Sequence, residues 1–399
     1  MPNICLYFQV HQPYRLVEYS FFQIGNNHFY ENAILNKLVL DKVSNNCYEK
    51  ANELIGKLIE KYPHKFKVTY SISGTALVQF ENHRPDIIDS FQKLNKTGNV
   101  EFLAETFYHS LAFNYNKEEF EFQVQKHSKA IEKFFKQKPT VFRNTELIYN
   151  NDLAIEIEKL GFRGIITEGL PHILKRKNQY QLFLPKDTKK IKAILRDHNL
   201  SDDIAYRFSD KNWKQYPLTP KKFLQSMSKI KDNAETINIF IDYETFGEHH
   251  DEESGILKFF EKLITEICEN ELYSFKTPSE LIQNIETNQI LDCPEYISWA
   301  DTEKDLSAWI GNSMQYEALA KIYSFKDKVW AIDDEEMLET WRKLQTSDHF
   351  YYMSTKQSTD GEVHNYFSPF NSPYDAYIYY MNILSDFELT LKKIIKSKK

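Results

Sequence analysis

Short apolar runs alternate with helical patterns over most of the chain, and this alternation limits the folds available to it. Several of the runs are apolar throughout, which is typical of strands buried on both faces of a parallel sheet. Seven runs have the length and the β-branched and aromatic content of strands: 3–11, 66–73, 100–105, 140–146, 162–169, 192–198 and 237–244. Seven strand–helix units predict an α/β fold with a closed or nearly closed β/α barrel.

The pattern changes after about residue 295, where helical periodicity continues but no convincing strand follows. The predicted helices there cover 303–325, 334–346 and 373–397. We therefore expect a catalytic barrel at 1–295 and a helical region at 296–399 packed on it. Two stretches between the later strands, 170–191 and 199–220, are expected to be long irregular loops.

Charge and apolar patterning exclude several classes of partner. The net charge of −7 gives no basic face for a nucleic acid. No apolar stretch reaches the roughly 18 residues that a membrane helix needs. Four scattered cysteines and the lack of a signal-peptide pattern predict a cytoplasmic protein with reduced thiols. The 29 Phe and 25 Tyr residues are core material by default, although sugar-binding clefts also use aromatic rings.

Polar side chains follow several of the predicted strands at the same end. His11 follows the first strand, Glu101 lies on the third, and Glu146 ends the fourth. Asp242 and Glu244 end the seventh strand. Active sites of β/α barrels lie at the carboxyl ends of the strands, so these side chains predict a catalytic pocket. Glu146 and Asp242 carry most of this argument, because burying an unpaired carboxylate after an apolar run is costly.

The residue pattern argues against several chemistries. None of the 12 histidines lies four residues from another, as zinc sites on helices often require. There is no G-x-S-x-G nucleophile elbow and no Gly-rich phosphate loop, with only 11 glycines in the chain. Two carboxylates from different strands remain, and these are the minimal machinery of glycoside hydrolysis. The pattern indicates neither a metal nor another cofactor.

Ordered segments of the chain resemble the motifs of glycoside hydrolase family 57, most closely its α-amylase type. Five such segments are HQPY (11–14), GNVEFL (98–103), FRNTELIY (142–149), IDYETFGEHH (241–250) and SDHFYYMSTK (347–356). A sixth match is SWADTEKDLSAWIGNSMQ (298–315). The resemblance runs from residue 11 to about residue 380, and this many motifs in order is specific.

The resemblance implies an incomplete (β/α)7 barrel, a C-terminal α-helical bundle and a retaining mechanism on α-glucans. It assigns Glu146 as nucleophile and Asp242 as general acid/base. His11 matches the histidine that contacts the sugar at the cleavage point, and Glu101 matches the second-motif glutamate. Asp348 matches the fifth-motif aspartate. Phe350 and Tyr351 stand where the family often has Tyr and Trp, so substrate choice is open; we expect Tyr351 to contact substrate.

Four further residues are candidates from their place in the sequence. Glu244 is expected to tune Asp242 or to hold a sugar hydroxyl, and His249 is expected to line the cleft, while His250 reads as an exposed loop residue. Trp299 and Trp309 are either sugar-stacking walls or core residues.

The sequence thus predicts an α-amylase acting on an α-glucan or maltooligosaccharide. 4-α-Glucanotransferase is the nearest alternative, because hydrolysis and transfer share one intermediate. A metal-dependent deacetylase on a similar barrel and a silent glycan-binding protein are further alternatives.

Overall fold

A computed structural model describes residues 2–175, 177–269 and 273–398. The chain forms two compact units. Unit 1 comprises residues 1–12, 39–105 and 124–299, and unit 2 comprises residues 13–38, 106–123 and 300–399. Two early segments of the chain therefore belong to the same unit as its C-terminal hundred residues.

All strands of the described residues lie in unit 1. They are β1 (Asn3–Val10), β2 (Val68–Ile72), β3 (Val100–Phe102), β4 (Val141–Arg143), β5 (Gly164–Glu168), β6 (Leu184–Pro185), β7 (Lys192–Arg196), β8 (Thr236–Asp242), β9 (Ser274–Phe275) and β10 (Ile290–Leu291). The seven predicted strands are confirmed, each ending within three residues of its expected boundaries. The three two-residue strands were not predicted, because such short segments carry no periodic signal.

The strands pair in parallel, as the buried apolar runs predicted. One sheet has the order β3-β2-β1-β8 with β9 also paired to β1, and a second has the order β4-β5-β7. At one margin, Ala104 bridges to Phe142 and so links the β3 and β4 edges. At the other margin, the Asp197 N–H donates to Asn238 O at 2.8 Å. The structure is therefore an α/β fold whose two main parallel sheets are hydrogen-bonded at both edges.

Side chains of β1 alternate between two apolar clusters, as the two-residue period of a strand requires. Ile4 and Phe8 pack in the large cluster formed with the surrounding helices. Cys5 and Tyr7 point the other way, into a smaller cluster shared by residues of β1, β4, β5, β7 and β8. Continuing this alternation places His11 on the same face as Tyr7, at the carboxyl end of the strand.

Helices supply the remaining regular structure. In unit 1 they are α2 (Glu49–Lys61), α3 (Gly74–His83), α4 (Pro85–Asn95), α7 (Asn151–Lys159), α8 (Pro171–Leu174), α9 (His198–Ala205), α10 (Pro220–Ser228), α11 (Ile256–Glu269) and α12 (Pro278–Asn284). In unit 2 they are α5 (Ala112–Tyr115), α13 (Ser307–Ile310), α14 (Ser313–Tyr323), α15 (Lys326–Ala331), α16 (Glu335–Lys343), α17 (Ser347–Tyr351), α18 (Ser358–Phe367) and α19 (Pro373–Ser397). Two helices have residues in both ranges: α1 (Ala33–Val43) and α6 (Lys117–Phe135).

Two expectations about the helices change. Residues 199–220 are not wholly irregular, because α9 occupies the first part of that stretch. The expected helix at 303–325 is divided into α13 and α14, with Asn312 capping the second. Among the described residues, no helix is both long and apolar enough to span a membrane.

Candidate active site

Glu146 follows β4 in a turn with an unusual backbone. Its φ is 57° and that of Leu147 is 52°, both in the left-handed region. A left-handed residue other than glycine costs roughly 1–2 kcal/mol, and such strain is concentrated at functional sites. Thr145 and Leu147 on either side of Glu146 are buried, whereas Glu146 itself is partly exposed.

Trp299 fixes the carboxylate of Glu146. The indole Nε1–H donates to Glu146 Oε2 at 2.6 Å, a short bond of the charge-assisted kind. The backbone N–H of Trp299 also donates to Glu146 O at 3.2 Å. Ile297 and Tyr149 exchange a pair of backbone hydrogen bonds beside it. A short antiparallel ladder therefore aligns the two segments and sets the position of the indole.

Two arginine side chains lie over the ring of Trp299. The guanidinium carbons of Arg143 and Arg196 are 5.2 Å and 5.6 Å from the ring centroid. Arg143 is fully buried and approaches Glu105 at 3.6 Å, while Arg196 donates to Glu168 at 2.9 Å. The structure thus gives Trp299 the role of holding Glu146, and its stacking on a sugar stays a prediction.

We expect Trp299→Phe to lower kcat on maltoheptaose about 10- to 100-fold with little change in KM. The substitution keeps an aromatic ring between the arginines but removes the N–H donor, and a hydrogen bond to a charged group contributes about 1.5–3 kcal/mol. Steady-state kinetics measures the effect, with Trp330→Phe in unit 2 as the matched control. A rise in KM at unchanged kcat would show that Trp299 binds substrate instead.

Asp242 ends β8 on the same face as the buried Phe240, in register with Gln9 of β1. It precedes a single 3-10 turn, Tyr243–Thr245. The phenol of Tyr206 is close enough to both Asp242 and Glu146 to feel their charges. Desolvation around the hydroxyl raises the pKa of this phenol, and the negative charges of Asp242 and Glu146 raise it further. Both carboxylates therefore act on one side chain, and no motif in the sequence identifies Tyr206.

Glu244 is buried two residues beyond Asp242 and is strongly perturbed. Its Oε1 accepts the Tyr48 hydroxyl at 2.5 Å and the His11 backbone N–H at 3.2 Å. Desolvation first, and then the charge of Asp242, raise the pKa of Glu244 to about 8. Glu244 therefore holds a proton at neutral pH, and its part in tuning Asp242 or holding a sugar hydroxyl stays a prediction.

The raised pKa of Glu244 predicts a pH-dependent stability. Between pH 4.5 and about pH 8, Glu244 keeps its proton in the folded protein but releases it in the unfolded chain. Its stabilising contribution is complete below about pH 4.5 and is lost as the pH rises through 8. Glu244→Gln, which imitates the protonated form, is expected to gain on the order of 4 kcal/mol over wild type between pH 4.5 and pH 9.

Thermal unfolding of both proteins across this pH range measures the gain from Glu244→Gln. Glu248→Gln is the control, since Glu248 pairs with Lys42 at the surface. Parallel pH curves for wild type and Glu244→Gln would contradict the assignment.

The turn after β8 requires a glycine and a rare helix type. Gly247 has φ 130°, and a Cβ there would lie 2.0 Å from Asn46 O. Asn46 belongs to a π-helical turn, Ser44–Tyr48, of a kind often found at functional sites. Close packing of the two turns brings the Tyr48 hydroxyl to Glu244, so Gly247 acts on the site through this contact.

The histidines of the site differ in their surroundings. His11 Nδ1 lies 2.8 Å from Ser73 Oγ, which fixes its ring at the end of β1. Burial, and then His250, lower the pKa of His249 to about 4, so His249 is neutral at pH 7. His250 is buried and not an exposed loop residue: its Nε2 lies 3.0 Å from Ala205 O, at the end of α9. Contact of His11 and His249 with substrate stays a prediction.

The carboxylate of Glu101 is occupied by contacts with α12, which argues against its interpretation as a substrate-binding residue. Its carboxylate accepts the Ser279 N–H at 3.0 Å and the Ser279 hydroxyl at 2.5 Å, in the first turn of α12. Leu281 of the same helix packs in the cluster that contains Cys5, near the amino end of β1. Glu101 therefore caps α12, and the strand register places it at the level of Tyr7, in the middle of β1.

Three predicted site residues belong to unit 2. Trp309 is 1% exposed, and its ring centroid lies 6.1 Å from that of Tyr351. It is therefore a core residue and cannot stack on a sugar. Tyr351 stacks on His364 with ring centroids 3.7 Å apart. The carboxylate of Asp348 lies within 4.8 Å of a ring nitrogen of His109. Substrate contact by Asp348 and Tyr351 stays a prediction.

A cluster of three carboxylates in unit 2 has the spacing of a cation site. Oxygen atoms of Asp301, Glu303 and Asp360 lie within 4.8 Å of one another. However, Lys356 and His364 pair with Asp301 at 2.8 Å and 3.0 Å. Since Lys356 already neutralises this aspartate, we assign no metal to the three carboxylates.

Comparison with known proteins identifies the family of the chain. A family model described as Glycosyl hydrolase family 57 matches residues 5–294. A Methanocaldococcus jannaschii protein named "Putative alpha-amylase" is 43% identical over 97% of this chain and 84% of its own length.

Two solved structures show the same fold. A family 57 branching enzyme from Thermococcus kodakaraensis aligns over 92% of this chain and 87% of its own, with TM-score 0.70 and 13% identity. A 4-alpha-glucanotransferase from Thermococcus litoralis aligns over 88% of this chain with TM-score 0.64 and 16% identity. This chain spans only 56% of that enzyme's length.

Proposed function

Because the chain belongs to glycosyl hydrolase family 57, we propose that it is an α-amylase that cleaves α-1,4-glucosidic bonds with retention of configuration. The observation that carries the mechanism is the pair Glu146 and Asp242. Glu146 is held by the Trp299 indole on a strained turn, and Asp242 ends a strand beside the buried Glu244. The 43% identical relative supports the amylase assignment within the family.

In the first step Glu146 attacks the anomeric carbon while Asp242 protonates the departing glycosidic oxygen. The product is a β-linked glycosyl ester on Glu146 and a shortened glucan. In the second step Asp242 removes a proton from water, and the resulting hydroxide oxygen displaces Glu146 from the sugar. Two inversions give retention, and we expect the two carboxyl groups to lie about 5–5.5 Å apart.

The surrounding residues have supporting parts in this proposal. Glu244 stays neutral and adds no second negative charge beside Asp242, and Tyr48 holds it in place. We propose that His11 and His249 bind sugar hydroxyls and that Asp348 and Tyr351 also contact the substrate. The architecture proposed for the whole is an incomplete (β/α)7 barrel at 1–295 followed by a helical bundle at 296–399. No cofactor takes part.

4-α-Glucanotransferase is the second candidate, since a sugar hydroxyl can replace water in the second step and a solved structure with this fold is such an enzyme. Product analysis on maltoheptaose separates the two activities. We expect shorter oligosaccharides with rising reducing ends. A ladder of both shorter and longer chains at constant reducing ends would establish the transferase, and the absence of any product would overturn both.

A further inference from the structure

One cavity in unit 1 is not used by the proposed mechanism. It has a volume of about 440 Å³ and lies between α9, the loop 206–219 and the end of α10. This volume is within the range of small-molecule sites. The residues of its wall that matter here are Tyr180, Asn199, Asp203, Arg207, Trp213 and Gln215.

The Tyr180 side of the cavity lies at the end of β8 opposite to Asp242. Tyr180 O accepts the Thr236 N–H at 3.1 Å, at the first residue of β8. Asp242 is the last residue of the same strand. At about 3.3 Å per residue, the two ends of β8 are roughly 20 Å apart.

The loop that carries Trp213 is ordered by the protein itself. Lys222 Nζ donates to Gln215 O and to Pro217 O, both at 2.9 Å. The Trp213 N–H donates to Asp210 O at 3.1 Å, and its ring packs against the large apolar cluster of unit 1. The indole is therefore preorganised, so binding there costs little further ordering.

The charges around Trp213 compensate one another. The Arg207 guanidinium lies 5.6 Å from the Trp213 ring centroid, and its Nε donates to Asp203 at 2.7 Å. Its Nη2 donates to Asn199 O at 2.7 Å. Asp197 and Lys229 add one further charge of each sign to the wall. Such a balance disfavours a phosphate or a cation and favours a neutral ligand.

Two amide side chains supply polar contacts for that ligand. Asn199 and Gln215 are exposed at the wall of the cavity. Within the part of the chain that the structure describes, neither side-chain amide has a hydrogen-bond partner, although both backbone carbonyls do. Each amide offers two donors and one acceptor oxygen. An indole face beside free amides and carboxylates matches the C–H face and the hydroxyl rim of a pyranose.

We propose that this cavity is a second α-glucan site, which binds a segment of a polymeric substrate away from the cleavage point. The inference rests on the proposed function, which makes an α-glucan the substrate. The site raises the local concentration of polymer chains at the enzyme, as a second linked binding event does. Short maltooligosaccharides cannot span both sites and gain nothing from it.

The test compares Trp213→Ala and the double variant Asn199→Ala/Gln215→Ala with wild type; the second pair is exposed and spares the fold. Trp330→Ala, an exposed tryptophan of unit 2, is the control. Retention in amylose-containing native gels gives the polymer affinity, and kinetics on maltotetraose and soluble starch gives turnover. We expect polymer affinity to fall about tenfold in both variants, with unchanged rates on maltotetraose.

The outcomes separate this inference from the proposed function. Turnover of starch by wild type with unchanged polymer retention in both variants would overturn the second site alone. No turnover by wild type, with retention lost in the variants, would overturn the proposed function alone. Equal loss of retention in Trp330→Ala would also contradict the second site, since that residue lies outside the cavity.

Discussion

Glu146→Gln is expected to lower kcat on maltoheptaose about 10,000-fold or more. The variant keeps the shape of the side chain and an acceptor oxygen for the Trp299 indole, but an amide cannot form the glycosyl ester. Loss of a nucleophile removes the whole covalent pathway, so the effect exceeds that of any positioning residue. Discontinuous assays of reducing ends over long incubations measure the residual rate.

Two companion variants make this result specific. Glu248→Gln removes a carboxylate near the site that is paired with Lys42, and it should keep nearly full activity. Glu146→Gly leaves room for a small anion, and with azide and an activated maltoside it should yield a β-glycosyl azide. Wild-type activity in Glu146→Gln would show that another residue attacks the sugar.

Asp242→Asn is expected to lower activity on maltoheptaose about 1,000-fold, within the range of a lost general acid/base. The size of the loss should depend on the leaving group. A natural glucan needs protonation of the departing oxygen. A dinitrophenyl maltoside does not, because dinitrophenolate is a stable anion that departs without a proton. Release from the activated substrate should therefore show a rapid burst followed by a slow phase, because the second step still lacks its base.

Stopped-flow absorbance on the aryl maltoside separates these phases. Asp202→Asn is the control: Asp202 pairs with Arg196 at 2.5 Å and is not assigned to proton transfer. Equal rate losses on both substrates, without a burst, would contradict an acid/base role for Asp242.

The sequence predicted the strands and the end of the sheet at which the site lies. Apolar runs such as 237–244 identify strands because burial on both faces leaves no polar alternation, and β8 (Thr236–Asp242) formed as expected. The two-residue period also explains why His11 and Asp242 share a face with Tyr7 and Phe240. These features depend on local sequence alone.

The contacts that complete the site depend on residues distant in sequence. Trp299 donates a hydrogen bond to Glu146 although the two residues are 153 positions apart in the sequence, and no local pattern predicts this contact. The contacts of Glu101 depend on Ser279 of α12, 178 positions later, which no local pattern predicts. His250 resembles an exposed polar residue, yet it is buried against the terminal carbonyls of α9, which need donors.

The most direct test of the mechanism is to trap the glycosyl-enzyme. Incubation with a fluorinated maltosyl fluoride, which slows the second step more than the first, should label the protein once. Mass spectrometry of the digested protein is expected to find the sugar on Glu146, and a label-resistant Glu146→Gln variant should confirm it. A label on another residue, or hydrolysis with inverted configuration by NMR, would contradict the account.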